Sequence, residues 1–272
     1  MAADATNRQQ FFVEIIKPSH YDDDGYVIQW VRAFIPSNSL ACLYALADDV
    51  RRRQALGPDV DVVVNAYEEM HTVIPVRDII RRTQIGGRRG LVLLAGVQSN
   101  QFPRAADLAR QFRAAGLAVA VGGFHVSGCL AMLPDLPPDI RAAQDMGVTL
   151  FAGEAEGRME QLLADAYYGR LRPVYNFLND LPDLRGQAIP MLPRGVLRRY
   201  LQQESPFDAG RGCPFQSASA LSSTCRGASR ATATPTMWSA WCGQTWPRAP
   251  ASSSSPTTTW PATGTGRPSS TG

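Results

Sequence analysis

The chain has 272 residues, 44% of them hydrophobic, and its 27 basic and 24 acidic residues give a formal net charge of +3. This predicts one large or two small domains, and the sparse, odd count of five cysteines argues against a disulfide scaffold. We expect no membrane partner and a cytoplasmic location, because the chain lacks an apolar run of about 18 residues and its N-terminus does not resemble a signal peptide.

The charge is unevenly placed along the chain. Beyond Gln216 there are four arginines and no acidic residue, so residues 1–216 are close to neutral. A protein that binds nucleic acid through its phosphates needs a basic surface, which this balance does not provide. We therefore expect no nucleic-acid partner.

Short apolar runs alternate with helical patterns between residues 10 and 170. The predicted strands cover 11–16, 60–64, 91–97, 117–121 and 148–151, and the predicted helices begin near Ser37, Ile74, Pro103, Ile140 and Met159. Parallel strands joined by crossover helices pair through right-handed connections. The pattern predicts an α/β fold, a flavodoxin-like doubly wound parallel sheet of five strands.

Two predicted strands of this sheet end in residues suited to a ligand site. In open parallel sheets, ligands bind beyond the carboxyl ends of the strands. Glycines there allow the backbone to approach a ligand closely. The predicted cofactor-binding residues after these two strands are Ser99, Asn100, Gln101, Gly122, Gly123 and His125. In the turn after the fifth strand, Glu154 and Glu156 either cap the next helix or contact a ligand.

The chain changes character after the predicted domain, 10–170. Residues 171–209 are punctuated by prolines and show little periodicity, which predicts an irregular extended connector. Residues 210–216 contain Arg-Gly-Cys-Pro-Phe-Gln, the start of a metal-binding loop with Cys213 as the candidate ligand. Residues 217–272 lack every acidic residue and almost every aliphatic one, which predicts a disordered tail.

The composition of this tail has two interpretations. One is a natural disordered linker, although four of the five tryptophans lie in it. The other is a GC-rich gene read out of frame, which the use of arginine in place of lysine supports. Codons for the tail can be chosen so that the neighbouring frame reads C-F-C from Ser217 to Ala220. The sequence that follows in that frame contains acidic residues and patterns typical of strands and helices. We favour the frameshift, which resequencing across the codons for Cys213 to Thr224 tests.

With Cys213 and the recovered C-F-C, the chain resembles cobalamin-binding radical S-adenosylmethionine enzymes over about residues 10–216. That family joins a cobalamin domain to a barrel, whose Cys-x3-Cys-x2-Cys loop holds a [4Fe–4S] cluster that binds S-adenosylmethionine. In this chain Ser217 and Ala220 stand where the second and third cysteines should be. The resemblance therefore implies a protein that binds cobalamin but is catalytically incomplete.

The resemblance also extends to single positions of the cobalamin domain. Ser99 and the Gly122-Gly123 pair match the family's residues after the third and fourth strands. The family's Asp-x-His-x-x-Gly loop is not reproduced, because Pro18 stands where the aspartate should be. His20 is thus either a cobalt ligand or a polar loop histidine. His125 is either a ligand or corrin contact, as in the family's Gly-Gly-x-His, or a packing residue.

Two functional hypotheses follow from these patterns. The first is the cobalamin-binding part of a radical S-adenosylmethionine enzyme whose intact form performs methyl transfer or another radical reaction on an unknown substrate. The alternative is a non-catalytic flavodoxin-like module that binds a nucleotide or a protein partner. The absent Asp-x-His-x-x-Gly loop favours this alternative.

Overall fold

The computed structural model describes residues 8–85, 89–203, 206, 210–211 and 231–232. Cys213 lies outside the described residues, and so does the predicted disordered tail apart from two of its residues. Within these ranges no helix combines the length and the apolarity that a bilayer crossing requires.

Strands and helices alternate along the described chain, as the sequence predicts. The strands are β1 (Gln9–Lys17), β2 (Val60–Glu68), β3 (Arg89–Leu94), β4 (Ala118–Gly122), β5 (Thr149–Ala152), β6 (Val174–Asn176), β7 (Gly210–Arg211) and β8 (Ala231–Thr232). The helices are α1 (Asn38–Arg52), α2 (Val76–Gln84), α3 (Phe102–Ala114), α4 (Phe124–Met132), α5 (Pro138–Asp145), α6 (Met159–Tyr167) and α7 (Arg194–Leu197), and a 3-10 turn (Ser99–Gln101) precedes α3.

The main sheet has the order β2-β1-β3-β4-β5-β6, and all its neighbouring strands are parallel. This confirms an α/β fold of flavodoxin-like kind. The predicted count of five strands is wrong, because β6 adds a sixth beside β5. This strand has only three residues and follows Pro173, so it lacks the apolar run that reveals the other strands. β7 and β8 form a separate antiparallel pair of two residues each.

Each face of the sheet has its own hydrophobic core. Alternate residues of β3 point to opposite faces, so Leu91 and Leu93 pack with α1 and α6, whereas Val92 and Leu94 pack with α3 and α5. Burial on both faces explains the continuous apolar run of this strand.

The segment predicted as an irregular connector is partly ordered and folds back onto the domain. We call residues 177–203 the strap. Met191 N–H donates to the Ala41 carbonyl of α1 at 3.3 Å, and Leu201 N–H donates to the Ala33 carbonyl at 3.0 Å. Tyr200 of the strap is 1% exposed. The strap thus returns across α1 to the side of the sheet where β2 is the edge strand.

Candidate functional site

A cleft of about 130 Å³ opens at the carboxyl edge of the sheet, between the start of α1 and the ends of β4 and β5. Its lining combines small, polar and acidic residues. They include Asn38, Ser39, Cys42, Leu43, Gly96, Gly122, Gly123, Phe124, Ser127, Phe151, Gly153, Glu154, Ala155 and Glu156. The predicted Gly122 and Gly123 therefore do line a cleft, and so do both glutamates of the turn after β5.

Two glycines allow the backbone segments around the cleft to pack together. Gly123 has φ +139°, and a Cβ there would lie 2.2 Å from the backbone nitrogen of Val97. Gly96 has φ +58°, and its Cβ would lie 2.7 Å from Cβ of Ser39. Only glycine combines such φ values with so close an approach. These residues place the loop after β3 against both α1 and α4.

An apolar slot of about 40 Å³ continues beneath the cleft, between α1 and α6. The cleft and the slot share lining from Leu43, Gly122, Phe151 and Ala155. Below them the slot is lined by aliphatic side chains, among them Leu162. The site is therefore polar at its mouth and apolar at its base, the usual arrangement of a small-molecule site.

Two acidic residues line the cleft. Within the described part of the chain, Glu154 and Glu156 are the charged residues among its lining. Glu156 is 5% exposed. Carboxylate oxygens accept hydrogen bonds from amide groups. The cleft therefore suits an amide-rich ligand.

Lys17 occupies the crevice where the strand order reverses, between β1 and β3. It is the only lysine of the chain. Its ammonium donates to the carbonyl of Gly96 and, at 2.8 Å, to Oε1 of Gln101. Burial lowers the pKa of Lys17 to about 8, and the nearby Glu68 opposes that shift. Ligands of flavodoxin-like folds bind at this crevice. Because Lys17 fills the crevice here, the open site lies closer to β4 and β5.

The lowered pKa of Lys17 predicts a pH dependence of stability. The folded chain releases this proton near pH 8 and the unfolded chain near pH 10.5, so the unfolded state binds more protons between these values and stability rises with pH there. Urea unfolding should show a gain of about 1–2 kcal/mol from about pH 7.5 to about pH 9.5 that Lys17→Met lacks. An equal gain in the variant would contradict this assignment.

Two buried carboxylates at the end of β2 hold the loops of the same edge. Glu68 Oε2 accepts the Ser37 N–H at 3.2 Å and the hydroxyl of Tyr200. Glu69, 1% exposed, pairs with Arg104 of α3, whose Nη2 lies 2.6 Å from its Oε1. These bonds attach the start of α1, the end of the strap and α3 to one corner of the sheet.

The predicted residues of the 3-10 turn lie at this edge but outside the lining of the cleft. Ser99 and Asn100 are exposed. Gln101 is buried, and its Oε1 accepts from Lys17 Nζ and, at 3.1 Å, from the Gln98 N–H. The side-chain oxygen of Gln101 thus holds the loop after β3 in place.

His125, at the start of α4, is held by three neighbours. Its Nδ1 lies 3.2 Å from Oγ of Ser99, and its Nε2 lies 3.1 Å from Oδ2 of Asp139. Its ring centroid is 4.5 Å from that of Phe102. Because both ring nitrogens have partners within the chain, ligation of a metal by His125 requires one of these bonds to break.

The other predicted ligands lie apart from the cleft. His20 follows β1, outside the lining residues, and its buried Nδ1 has no hydrogen-bond partner among the described residues. Cys42 and Cys129 are buried and form no disulfide, and of the two only Cys42 lines the cleft. Across the described ranges, no group of three histidine, cysteine, aspartate or glutamate residues is arranged to hold a metal ion.

Sequence reasoning missed the residues that shape the site from other elements. Asn38 and Ser39 reach the cleft because Ser37 caps α1, its hydroxyl accepting the Leu40 N–H at 3.4 Å. The pairing of Glu69 with Arg104 joins residues that no local pattern connects. One available signal was the position of the only lysine at the end of a buried strand.

The fold and the cleft define an α/β domain of flavodoxin-like kind with a candidate ligand site at its carboxyl edge. No protein-family model, curated protein or solved structure matches this chain.

Proposed function

We propose that the described α/β domain binds cobalamin and that the cleft between α1 and α6 receives the nucleotide tail of this cofactor. The observation that carries the proposal is the continuity of the glycine-lined cleft with the apolar slot beneath it. The nucleotide tail of cobalamin carries a flat aromatic ring on a polar arm. This matches a site whose bottom is narrow and apolar and whose opening is polar.

The size of the site supports one arm of a large ligand. The cleft and the slot measure about 130 and 40 Å³, below the roughly 300–1,000 Å³ of pockets that bury a whole small molecule. The residues that would hold the tail are those that line both the cleft and the slot, Leu43, Gly122, Phe151 and Ala155. Glu154 and Glu156 at the mouth accept hydrogen bonds from the amide groups of the corrin.

We propose that the domain binds cobalamin without a ligand from His125 to the cobalt. Both ring nitrogens of His125 already have partners within the chain. When bound, cobalamin supplies a cobalt centre that carries a methyl group or an electron. The role of this chain's own residues is to hold the tail, orient the ring and exclude water from the slot.

The resemblance to radical S-adenosylmethionine enzymes extends the proposal beyond the described domain. We propose that the chain is the cobalamin-binding part of such an enzyme and that a frameshift after Gln216 removed its cluster loop. Of the three cysteines required, the sequence retains Cys213, with Ser217 and Ala220 at the other two positions. One thiolate cannot hold a [4Fe–4S] cluster, so we expect no radical chemistry from this chain.

The alternative function is a flavodoxin-like module that binds a nucleotide or a protein partner. The observation that favours it is Pro18 at the place of the aspartate in the family's histidine loop. Two observations argue against flavin mononucleotide as the nucleotide. Lys17 fills the crevice that flavodoxin-like folds use for their ligands, and two carboxylates line the cleft.

A competition experiment separates the two functions. We expect the full chain to bind hydroxocobalamin and an excess of flavin mononucleotide to leave it bound, because Lys17 fills the crevice that flavodoxin-like folds use for their ligands. Equilibrium dialysis with absorbance detection measures both ligands at once. Retention of the flavin, with hydroxocobalamin left free, would establish the alternative.

A further inference from the structure

A second and larger cavity lies at the β2 edge of the sheet, away from the proposed cobalamin site. It measures about 650 Å³ and runs along the edge strand β2, under α7 of the strap. We call it the edge groove. One wall is formed by residues 64–68 of β2, and the facing wall includes Val196 and Arg199. Its volume lies within the roughly 300–1,000 Å³ of pockets that bury small molecules.

The edge groove contains a histidine that lacks one hydrogen bond. The ring of His71 meets that of Tyr200 edge-on, with centroids 4.5 Å apart and an interplanar angle of 88°. Its Nδ1 lies 3.0 Å from Oγ1 of Thr72. Its Nε2 is buried and has no hydrogen-bond partner in the described part of the chain. An unsatisfied buried nitrogen costs about 1–3 kcal/mol, which a bound ligand can recover.

A cation lies at the rim of the same groove. Arg199 is exposed, and its Nη1 donates to Oγ1 of Thr72, the atom that also contacts His71. The guanidinium has further N–H groups for a ligand. Glu68 also lines the groove, but its Oε2 accepts the Tyr200 hydroxyl and the Ser37 N–H.

The remaining lining is largely apolar or aromatic. Tyr44, Val64 and Val196 lie on different walls of the groove, so a flat apolar body would contact all three elements. A ligand amine would face Arg199 with like charge. A purely apolar ligand would leave Nε2 of His71 unsatisfied.

We propose that the edge groove binds a small carboxylate with a flat apolar body, its carboxylate lying between Nε2 of His71 and the guanidinium of Arg199. This proposal goes beyond cobalamin binding and does not depend on it, because the two sites lie on different strands and share no lining residue. The strap closes this site, which gives the ordered segment after β6 a ligand-binding role.

The titration of His71 gives the proposal a direct readout. In the free chain, burial lowers the pKa of His71, Glu68 raises it, and Arg199 lowers it. The Tyr200 ring and the Thr72 hydroxyl also contact the imidazole. A carboxylate placed against Nε2 stabilises the imidazolium, so binding should raise the pKa of His71.

Nitrogen-detected NMR of the three histidine side chains in the full chain tests this, with benzoate as the probe and benzyl alcohol as its uncharged match. We expect benzoate to shift the Nε2 resonance of His71 and to raise the pKa of His71. We also expect benzoate to bind roughly tenfold tighter than benzyl alcohol, because its carboxylate adds one charge-assisted hydrogen bond. Equal binding of the two probes, or an unmoved His71 resonance, would overturn the proposal.

Two variants and one control locate the binding. His71→Gln and the exposed-site variant Arg199→Gln should each weaken benzoate binding roughly tenfold. His20→Gln is the matched control, because His20 also has a buried, unpartnered ring nitrogen but lies outside the groove. Benzoate binding that Arg199→Gln leaves unchanged, in a chain whose spectrum shows it folded, would refute the site even if His71→Gln fails to fold.

Discussion

Gly123→Ala is expected to destabilise the domain by about 3 kcal/mol or more. At φ +139° and ψ −170° this position uses backbone angles that are essentially restricted to glycine. The added Cβ would also lie 2.2 Å from the nitrogen and 2.7 Å from the oxygen of Val97. Backbone atoms cannot rotate away as a side chain can, so the loop after β3 must separate from α4.

Separation of the loop after β3 from α4 is expected to disturb the cleft as well as to lower the stability of the domain. Val97 donates to the Gly122 carbonyl at 3.0 Å, and His125 donates to the Val97 carbonyl at 3.0 Å. Moving the loop breaks both bonds and displaces Gly96 from the cleft lining. We expect the variant to lose a large part of a stability that is typically 5–15 kcal/mol, and to lose ligand binding with it.

Gly116→Ala is the matched control for this prediction. Gly116 also has a positive φ, +79°, but a Cβ there meets no atom within 4 Å. Its substitution therefore carries the conformational cost alone, about 1 kcal/mol. Urea unfolding of the two variants separates clash from backbone preference. Similar midpoints for both would show that the approach of Gly123 to Val97 is looser than the structure indicates.

Ala155→Trp is expected to weaken hydroxocobalamin binding by roughly a hundredfold or more. Ala155 lines both the cleft and the slot, and an indole there would fill the space proposed for the nucleotide base. Loss of the burial of an aromatic ring costs about 3 kcal/mol, which corresponds to this factor. Binding is measured by the change in corrin absorbance on titration.

Ala166→Trp controls for the introduction of a large side chain at a half-buried alanine. Ala155 precedes α6, whereas Ala166 lies on α6 and lines a groove with Ala118 and Thr149, away from the cleft. We expect this variant to bind hydroxocobalamin as the unchanged chain does, and circular dichroism checks that both variants fold. If Ala155→Trp binds hydroxocobalamin with unchanged affinity, the slot is not part of the cobalamin site.

The sequence predicted the elements that have a strong local pattern. Strands buried on both faces, such as β3 and β4, appear as continuous apolar runs. Helix α1 begins one residue after Ser37, the position near which the sequence predicts its start. Helix α4 was missed because most of Phe124–Met132 is apolar, without the polar face that gives a helical period. Such segments take their structure from tertiary packing.

The candidate site was predicted in part for the same reason. The carboxyl edge and the pair Gly122-Gly123 follow from strand ends and glycines, which are local features. The positions of Ser39 and Ala155 in the cleft depend on how α1 and α6 pack on the sheet. His71 and Arg199 come together only because the strap returns to the edge strand. Contacts between residues so distant in sequence have no signature in a single chain.

Titration of the full chain with hydroxocobalamin, followed by absorbance, shows whether the domain binds cobalamin. A domain that holds the nucleotide tail in the slot changes the surroundings of the corrin, so we predict a spectral change that saturates at one cofactor per chain. For Ala155→Trp, saturation should require a cofactor concentration roughly a hundredfold higher or more. A flat titration of the folded chain would contradict cobalamin binding and leave the flavodoxin-like module as the function to pursue.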